Sequence, residues 1–180
     1  MKKTLVAFIL GLSAIGGASA RDLVVYFSVT DNTKKLAETI NAQVGGDIMR
    51  IEPVDPYPIT DYHSDEIKDR ALAERDSNAR PAFKEMNLNL DEYDTVYVGY
   101  PIWWYTLPMI MYTFFDAYDF SGKTIVPFNT HGGSGDGGTY ETIKGWEPNA
   151  TVLDGLPVSG NAMAQDQTET VKSWLQKIGK

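Results

Sequence analysis

Three short stretches carry residue types suited to holding one small phosphorylated ligand. The first, Ser28-Val29-Thr30-Asp31-Asn32-Thr33, supplies four neutral hydrogen-bonding side chains, Ser28, Thr30, Asn32 and Thr33, directly ahead of a helix-forming run. A helix start offers free backbone N–H groups and the positive end of a dipole, which together suit an anion. Capping alone would need only one of them, Thr30 or Asn32. The second, Gly99-Tyr100-Pro101-Ile102-Trp103-Trp104-Tyr105, sets three aromatics side by side. Successive side chains cannot all face one core, so at least one is expected to be exposed or to stack on a flat ring. Trp103 and Trp104 each suit either core or ligand. The third, from Asn129 and Thr130 through His131, Gly132 and Gly133 to Gly138, holds five glycines in seven residues. Such a backbone can approach a ligand closely, although a flexible surface loop would look similar. His131 fits a catalytic base or a hydrogen-bonding scaffold residue, and beside glycines the second is the commoner use.

Neither the dinucleotide fingerprint Gly-x-Gly-x-x-Gly nor the triphosphate loop ending in Gly-Lys-Ser/Thr is present. A small terminal phosphate remains, with a flat ring at the other end. Flavin mononucleotide (FMN) fits that description. Zero cysteines exclude disulfides, zinc–cysteine sites, iron–sulfur clusters and a thiol nucleophile. Two histidines far apart, His63 and His131, make a histidine-rich metal site unexpected.

These stretches need elements to hold them. Five β-type runs recur: Leu23 to Phe27, Ile48 to Ile51, Thr95 to Gly99, Thr124 to Phe128, and a weaker Val152 to Val158. The first, third and fourth are nearly continuous apolar runs, as strands covered on both faces require. Leu36, Ile40 and Val44 put one helix face on a core. Asp61 to Glu74 reads as a charged, largely solvated helix, and Pro108 to Phe115 as an apolar one opened by proline. Thr139 to Trp146 suits a short helix. Val171, Trp174, Leu175 and Ile178 mark an amphipathic one. Arg75 to Leu90 reads as loop. Strand and helix alternating this way predict a three-layer α/β domain, doubly wound on a parallel five-stranded sheet. Ligands in such sheets sit beyond the carboxyl ends of the strands, where the three stretches fall.

Residues 1–20 read as a secretory signal peptide: Lys2 and Lys3, an apolar run from Leu5 to Ile15, then Ala18-Ser19-Ala20. A membrane anchor needs about 20 consecutive apolar residues, and Ser13, Gly16 and Gly17 interrupt this run. Residues 21–180 then form one domain, exported and free of the membrane. They hold 14 basic against 24 acidic residues, a net charge of −10. That balance disfavours nucleic acid and anionic membranes and suits a basic protein partner.

The motifs YFSVTDNTKKLAE, VGYPIWWYTLPMIMYTF and PFNTHGGSG, with the terminal VKSWLQKIG, resemble the flavodoxin family from about Leu23 to Ile178. The resemblance implies strand order 2-1-3-4-5 and bound FMN. Ser28, Thr30, Asn32 and Thr33 would hold the phosphate. Pro101, Ile102, Trp103 and Trp104 would line one side of the ring, and Thr130 to Gly133 the other. Two positions depart from the family pattern. Asp31 stands where glycine is usual, adding a carboxylate to the phosphate loop. Tyr105 stands at the glycine beside the flavin N5, where a flip to positive φ is costly for a side chain. Weaker stabilisation of the one-electron-reduced flavin than in a dedicated carrier is therefore expected.

Three functions follow. The first is an electron carrier that docks on a redox protein with a basic face. The second is an FMN-dependent reductase moving electrons from NADH or NADPH to a quinone-like acceptor. The third is an exported binding module on the same fold without flavin. No catalytic residue is singled out, because the flavin would carry the chemistry.

Overall fold

The structure, a computed structural model, describes residues 21–58 and 64–180. The expected signal peptide, His63 and the expected start of the second helix at Asp61 lie outside the described residues.

Strands β1 (Asp22–Tyr26), β2 (Asp47–Arg50), β3 (Thr95–Pro101), β4 (Thr124–His131), β5 (Thr151–Val152) and β6 (Leu156–Ser159) alternate with helices. These are α1 (Asn32–Val44), α2 (Asp65–Asp76), α3 (Met109–Ala117), α4 (Thr139–Trp146) and α5 (Thr168–Lys177). All pairings are parallel, in the order β2-β1-β3-β4-β5, with β6 also on β4. One sheet face packs Val24, Tyr97 and Val126 against Leu36 and Ile40 of α1 and Val171 and Trp174 of α5. The other packs Leu23, Val98 and Ile125 against Ile67 of α2 and Ile110 and Phe114 of α3. The three layers and the strand order match expectation. β1, β3 and β4 are largely apolar along their central residues because both faces are covered.

The expected fifth strand is broken in two, which makes the sheet six-stranded. Ile125 pairs with Val152 but Phe128 with Leu156, so the edge chain spends one extra residue between them. The cause lies in β4. Ile125 turns its carbonyl to the edge, accepting from the Leu153 N–H at 3.0 Å, and alternation turns Pro127 the same way. Proline has no N–H to give, so the ladder lapses there and the edge bulges. Gly155 fills the bulge because a Cβ would stand 2.4 Å from the Tyr140 ring and 2.7 Å from the Pro127 carbonyl.

Smaller differences occur at helix ends. α2 continues through Arg75 and Asp76, and α3 begins just after Pro108. The segment expected to be loop pairs locally with the chain beyond β2: the Lys84 N–H donates to the Glu52 carbonyl at 2.7 Å and the Val54 N–H to Ala82 at 2.9 Å.

Beyond α4, burial first, and then Asp119 and Asp116, push the Glu147 carboxyl up from 4.5 to about 7. The folded chain thus holds this proton more tightly than the unfolded chain, and stability falls as pH rises between those values. Glu147→Gln is expected to melt at a higher temperature than wild type at about pH 8, with the gap closing by about pH 4. Thermal unfolding across that range checks it.

Candidate functional site

A cavity of about 490 Å³ opens at the carboxyl ends of β1, β3 and β4. Ser28, Val29, Thr30, Asn32 and Thr33 line it from the β1–α1 loop. Pro101, Ile102 and Trp103 line it after β3, and Thr130, His131 and Gly132 after β4. All three stretches singled out in the sequence therefore meet in one place. Of the expected residues, only Trp104 and Gly133 stay off the cavity wall. Val29, Ile67, Gly160 and Asn161 join it without having been expected. For the last two the available signal was position, since they follow directly on β6.

At the polar end, Asp31 is the residue just before α1, in the left-handed region at φ 62°. Its carbonyl accepts from the Lys35 N–H at 3.0 Å, while its exposed carboxylate makes no capping bond. The first-turn N–H groups are therefore not consumed by that side chain. Ser28 and Thr33 are buried, and the Thr33 and Thr130 hydroxyls meet at 2.8 Å, joining the first loop to the third. Arg50 donates from Nη2 to the Ser28 carbonyl at 2.6 Å. This bond fixes the loop's backbone and leaves the Ser28 hydroxyl free of that arginine.

The three adjacent aromatics go three ways. Trp103 is buried on the cavity wall, edge-on to Phe27 at 5.4 Å and Tyr57 at 5.0 Å. Trp104 turns to α2, where its indole N–H donates to the Lys68 carbonyl at 3.0 Å and Arg75 lies over its ring. Tyr105 is 75% exposed. The cause is a two-residue turn in which Trp103 and Thr106 exchange N–H···O bonds, both 3.0 Å. Trp104 and Tyr105 between them have φ of 50° and 61°. Hairpin turns of this hand normally use Asn-Gly, and each bulky residue so held costs roughly 1–3 kcal/mol. The positive φ expected to be costly at Tyr105 is already adopted. No spacing rule could have told Trp103 from Trp104, because the turn reverses the alternation that such a rule assumes.

The glycine-rich loop is pinned rather than loose. The fully buried Asn129 donates from Nδ2 to the Gly135 carbonyl at 3.0 Å and accepts from the Tyr140 hydroxyl at 2.5 Å. Thr139 donates to the Asp136 carbonyl at 2.6 Å and shares a hydrogen bond with the Tyr100 hydroxyl. Gly137, at φ 60°, lies where a Cβ would come within 3.3 Å of Ile102 and the Tyr105 carbonyl, so the second and third loops touch. His131 accepts the Gly133 N–H on Nδ1 at 3.0 Å, which leaves its proton on Nε2. Burial lowers its pKa and favours the neutral ring. It is a scaffold residue of the loop.

The flavodoxin family model matches residues 21–178. The chain belongs to the flavodoxin family. It is 34% identical to a candidate flavoprotein from Bacteroides eggerthii DSM 20697, over 89% of this chain and 99% of that one, with a TM-score of 0.78. A candidate flavoprotein from Bacteroides uniformis ATCC 8492 is 33% identical over 87% and 98%, with a TM-score of 0.75. The flavoprotein of Lactobacillus acidophilus NCFM, solved in complex with FMN, shares the fold at 20% identity, covering 90% and 100%, with a TM-score of 0.69. No curated protein matches the chain. In this flavodoxin-family member the departures at Asp31 and Tyr105 are both absorbed by left-handed backbone.

Asn129→Ala would leave the Gly135 carbonyl and the Tyr140 hydroxyl without their partner, at about 1–3 kcal/mol for each group left unmet. The melting temperature is expected to fall by about 4–24 °C, read by calorimetry. An unchanged value would mean that the glycine loop does not depend on this bracket.

Proposed function

We propose that this flavodoxin-family protein holds FMN in the cavity and works as an electron carrier that docks on a basic redox protein. The observation that carries the reading is the cavity itself, with neutral donors and a helix start on its wall together with the buried Trp103 side chain. Its volume of about 490 Å³ falls within the ~300–1,000 Å³ usual for small-molecule sites. Ser28, Thr30, Asn32 and Thr33 would hold the phosphate, whose charge the N–H groups of α1 favour. Trp103 and Ile102 would flank one side of the ring, and Thr130, His131 and Gly132 the other. FMN, once bound, supplies electron-transfer chemistry that no side chain here provides. The chain's own share is to fix the loops: Thr33 to Thr130, Ile102 N–H to the Thr130 carbonyl at 2.8 Å, and Gly133 to His131. His131, held neutral, adds no charge beside the ring.

The acidic composition supports docking on a basic partner, by speeding encounter at low salt. The pattern of residues 1–20 supports a location outside the cytoplasm, where the folded domain would acquire FMN after transit. A secreted form beginning at Arg21 on amino-terminal sequencing is the expected result.

The decisive test mixes the purified chain with FMN, removes free flavin by filtration, and reads what is retained. Stoichiometric, fluorescence-quenched FMN is expected, and none retained would sink the proposal. Trp103→Ala should weaken retention about tenfold or more, through the lost ring contact and buried area. Asp31→Gly should raise affinity about fivefold, since the removed carboxylate is worth about 1 kcal/mol against a nearby phosphate in water. Rapid NADH- or NADPH-dependent reduction of a quinone would replace the carrier reading with that of a reductase.

A further inference from the structure

We infer, independently of any bound flavin, that a second and smaller cavity beside the first binds a small aromatic carboxylate, with Arg50 as its charge partner.

This cavity measures about 200 Å³ and lies beyond the carboxyl ends of β1 and β2. Ser28 and Val29 line both cavities, so the β1–α1 loop is a wall common to the two. Phe27 and Tyr57 give the second cavity an aromatic floor, and Pro53 and Pro56 an apolar side. Its charged residues are Arg50, Glu52 and Lys84.

Arg50 carries the uncommitted charge. Arg21, Arg70, Arg75 and Arg80 are each paired with a carboxylate. Although the chain holds 24 acidic residues, no carboxylate of a described residue pairs with Arg50. Its bond from Nη2 to the Ser28 carbonyl at 2.6 Å holds the guanidinium in place. That bond leaves further N–H donors of the fork open. Lys84 takes the Glu52 carboxylate at 2.7 Å, so those two charges offset each other. One net positive charge therefore faces an apolar, aromatic-floored hollow.

The walls are fastened before any ligand arrives. Arg70 donates to the Asp55 and Pro56 carbonyls, both at 3.1 Å, and the Lys84 N–H holds the Glu52 carbonyl. The Tyr57 hydroxyl donates to Glu74 at 2.6 Å, and Arg70 lies 3.9 Å over its ring. A hollow ordered in advance loses little entropy on binding. Size and charge then name the occupant. The volume lies below the ~300–1,000 Å³ usual for drug-sized ligands, which limits the guest to about one ring. Proline and aromatic walls favour a flat one. One free cation matches one negative charge, and Glu52 on the rim opposes a second, so a carboxylate suits the site better than a phosphate dianion. Guanidinium and carboxylate pair through two parallel N–H···O bonds.

The test titrates the ¹⁵N-labelled chain with benzoate, first without flavin and then with FMN added. The Arg50 side-chain N–H and the Val29 amide are expected to shift saturably. The Trp174 indole, which donates to the Asp154 carbonyl and packs on the other face of the sheet, is expected to stay still. Acetate lacks the ring, benzyl alcohol lacks the charge, and phenyl phosphate adds a second charge. Each should bind about fivefold more weakly than benzoate, or worse. Arg50→Gln should weaken benzoate binding by about fivefold or more. Glu52→Gln should strengthen it about threefold, because the opposing carboxylate is gone and Lys84 is released. Tighter binding cannot come from a damaged fold, so this arm stands apart from the hold of Arg50 on the loop. Shifts centred on Thr130 to Gly133, equal binding of any of the three control compounds, or unchanged affinity in either variant would overturn the inference. FMN retention is read separately on the same samples. Its loss with these shifts intact would remove the carrier reading and leave the carboxylate site standing.

Discussion

The register of three parallel strands decides where the chemistry of this chain can sit. Tyr26 stands level with Gly99, and Gly99 with Phe128; β1 ends there, while β3 and β4 run on side by side to Pro101 and His131. Gly99 makes this alignment possible, because a Cβ there would lie 2.2 Å from the Phe128 ring. With the ring seated over the glycine, Phe128 is fully buried. The loops that follow the three strands then open on the same edge of the sheet and meet across short bonds. Slipping one strand by a residue would exchange its two faces and carry its loop away from the other two. The site is thus a product of sheet packing before it is a product of its own side chains.

Local hydrogen bonds finish what the register begins. Glycine-rich backbone is costly to order, and here the cost is offset by Asn129, Thr139, Tyr100 and Tyr140, which stand behind the loop rather than in the cavity. The first loop is held in a similar way by Arg50 and by the Thr33–Thr130 pair. Asn129, Thr139, Tyr100, Thr33 and Thr130 are polar side chains buried with partners, the arrangement in which such groups are well tolerated. The residues facing the cavity are left with open hydrogen-bonding capacity.

Much of this was legible in the sequence, and the reasons are specific. β1, β3 and β4 announced themselves because strands buried on both faces cannot alternate polar and apolar residues. The loops announced themselves because hydroxyls, aromatics and glycines clustered just after those strands. What stayed hidden depended on backbone geometry that composition does not encode. The break between β5 and β6 turns on Pro127 facing the edge rather than β3. The separate fates of Trp103, Trp104 and Tyr105 turn on a turn of unusual hand. The part played by Gly160 and Asn161 turns on how far β6 carries the chain before it ends.

The interrupted edge beside β4 bears on how the chain behaves in company. A long, straight edge strand offers unpaired N–H and C=O groups to any neighbour and invites sheet-to-sheet stacking. Here the outer lane is a two-residue strand, a bulge, and a four-residue strand that contains Pro157. Proline on an edge removes a donor where a neighbouring chain would look for one. The irregularity that spoils a tidy five-stranded count also leaves that margin of the sheet a poor template for fibrous growth.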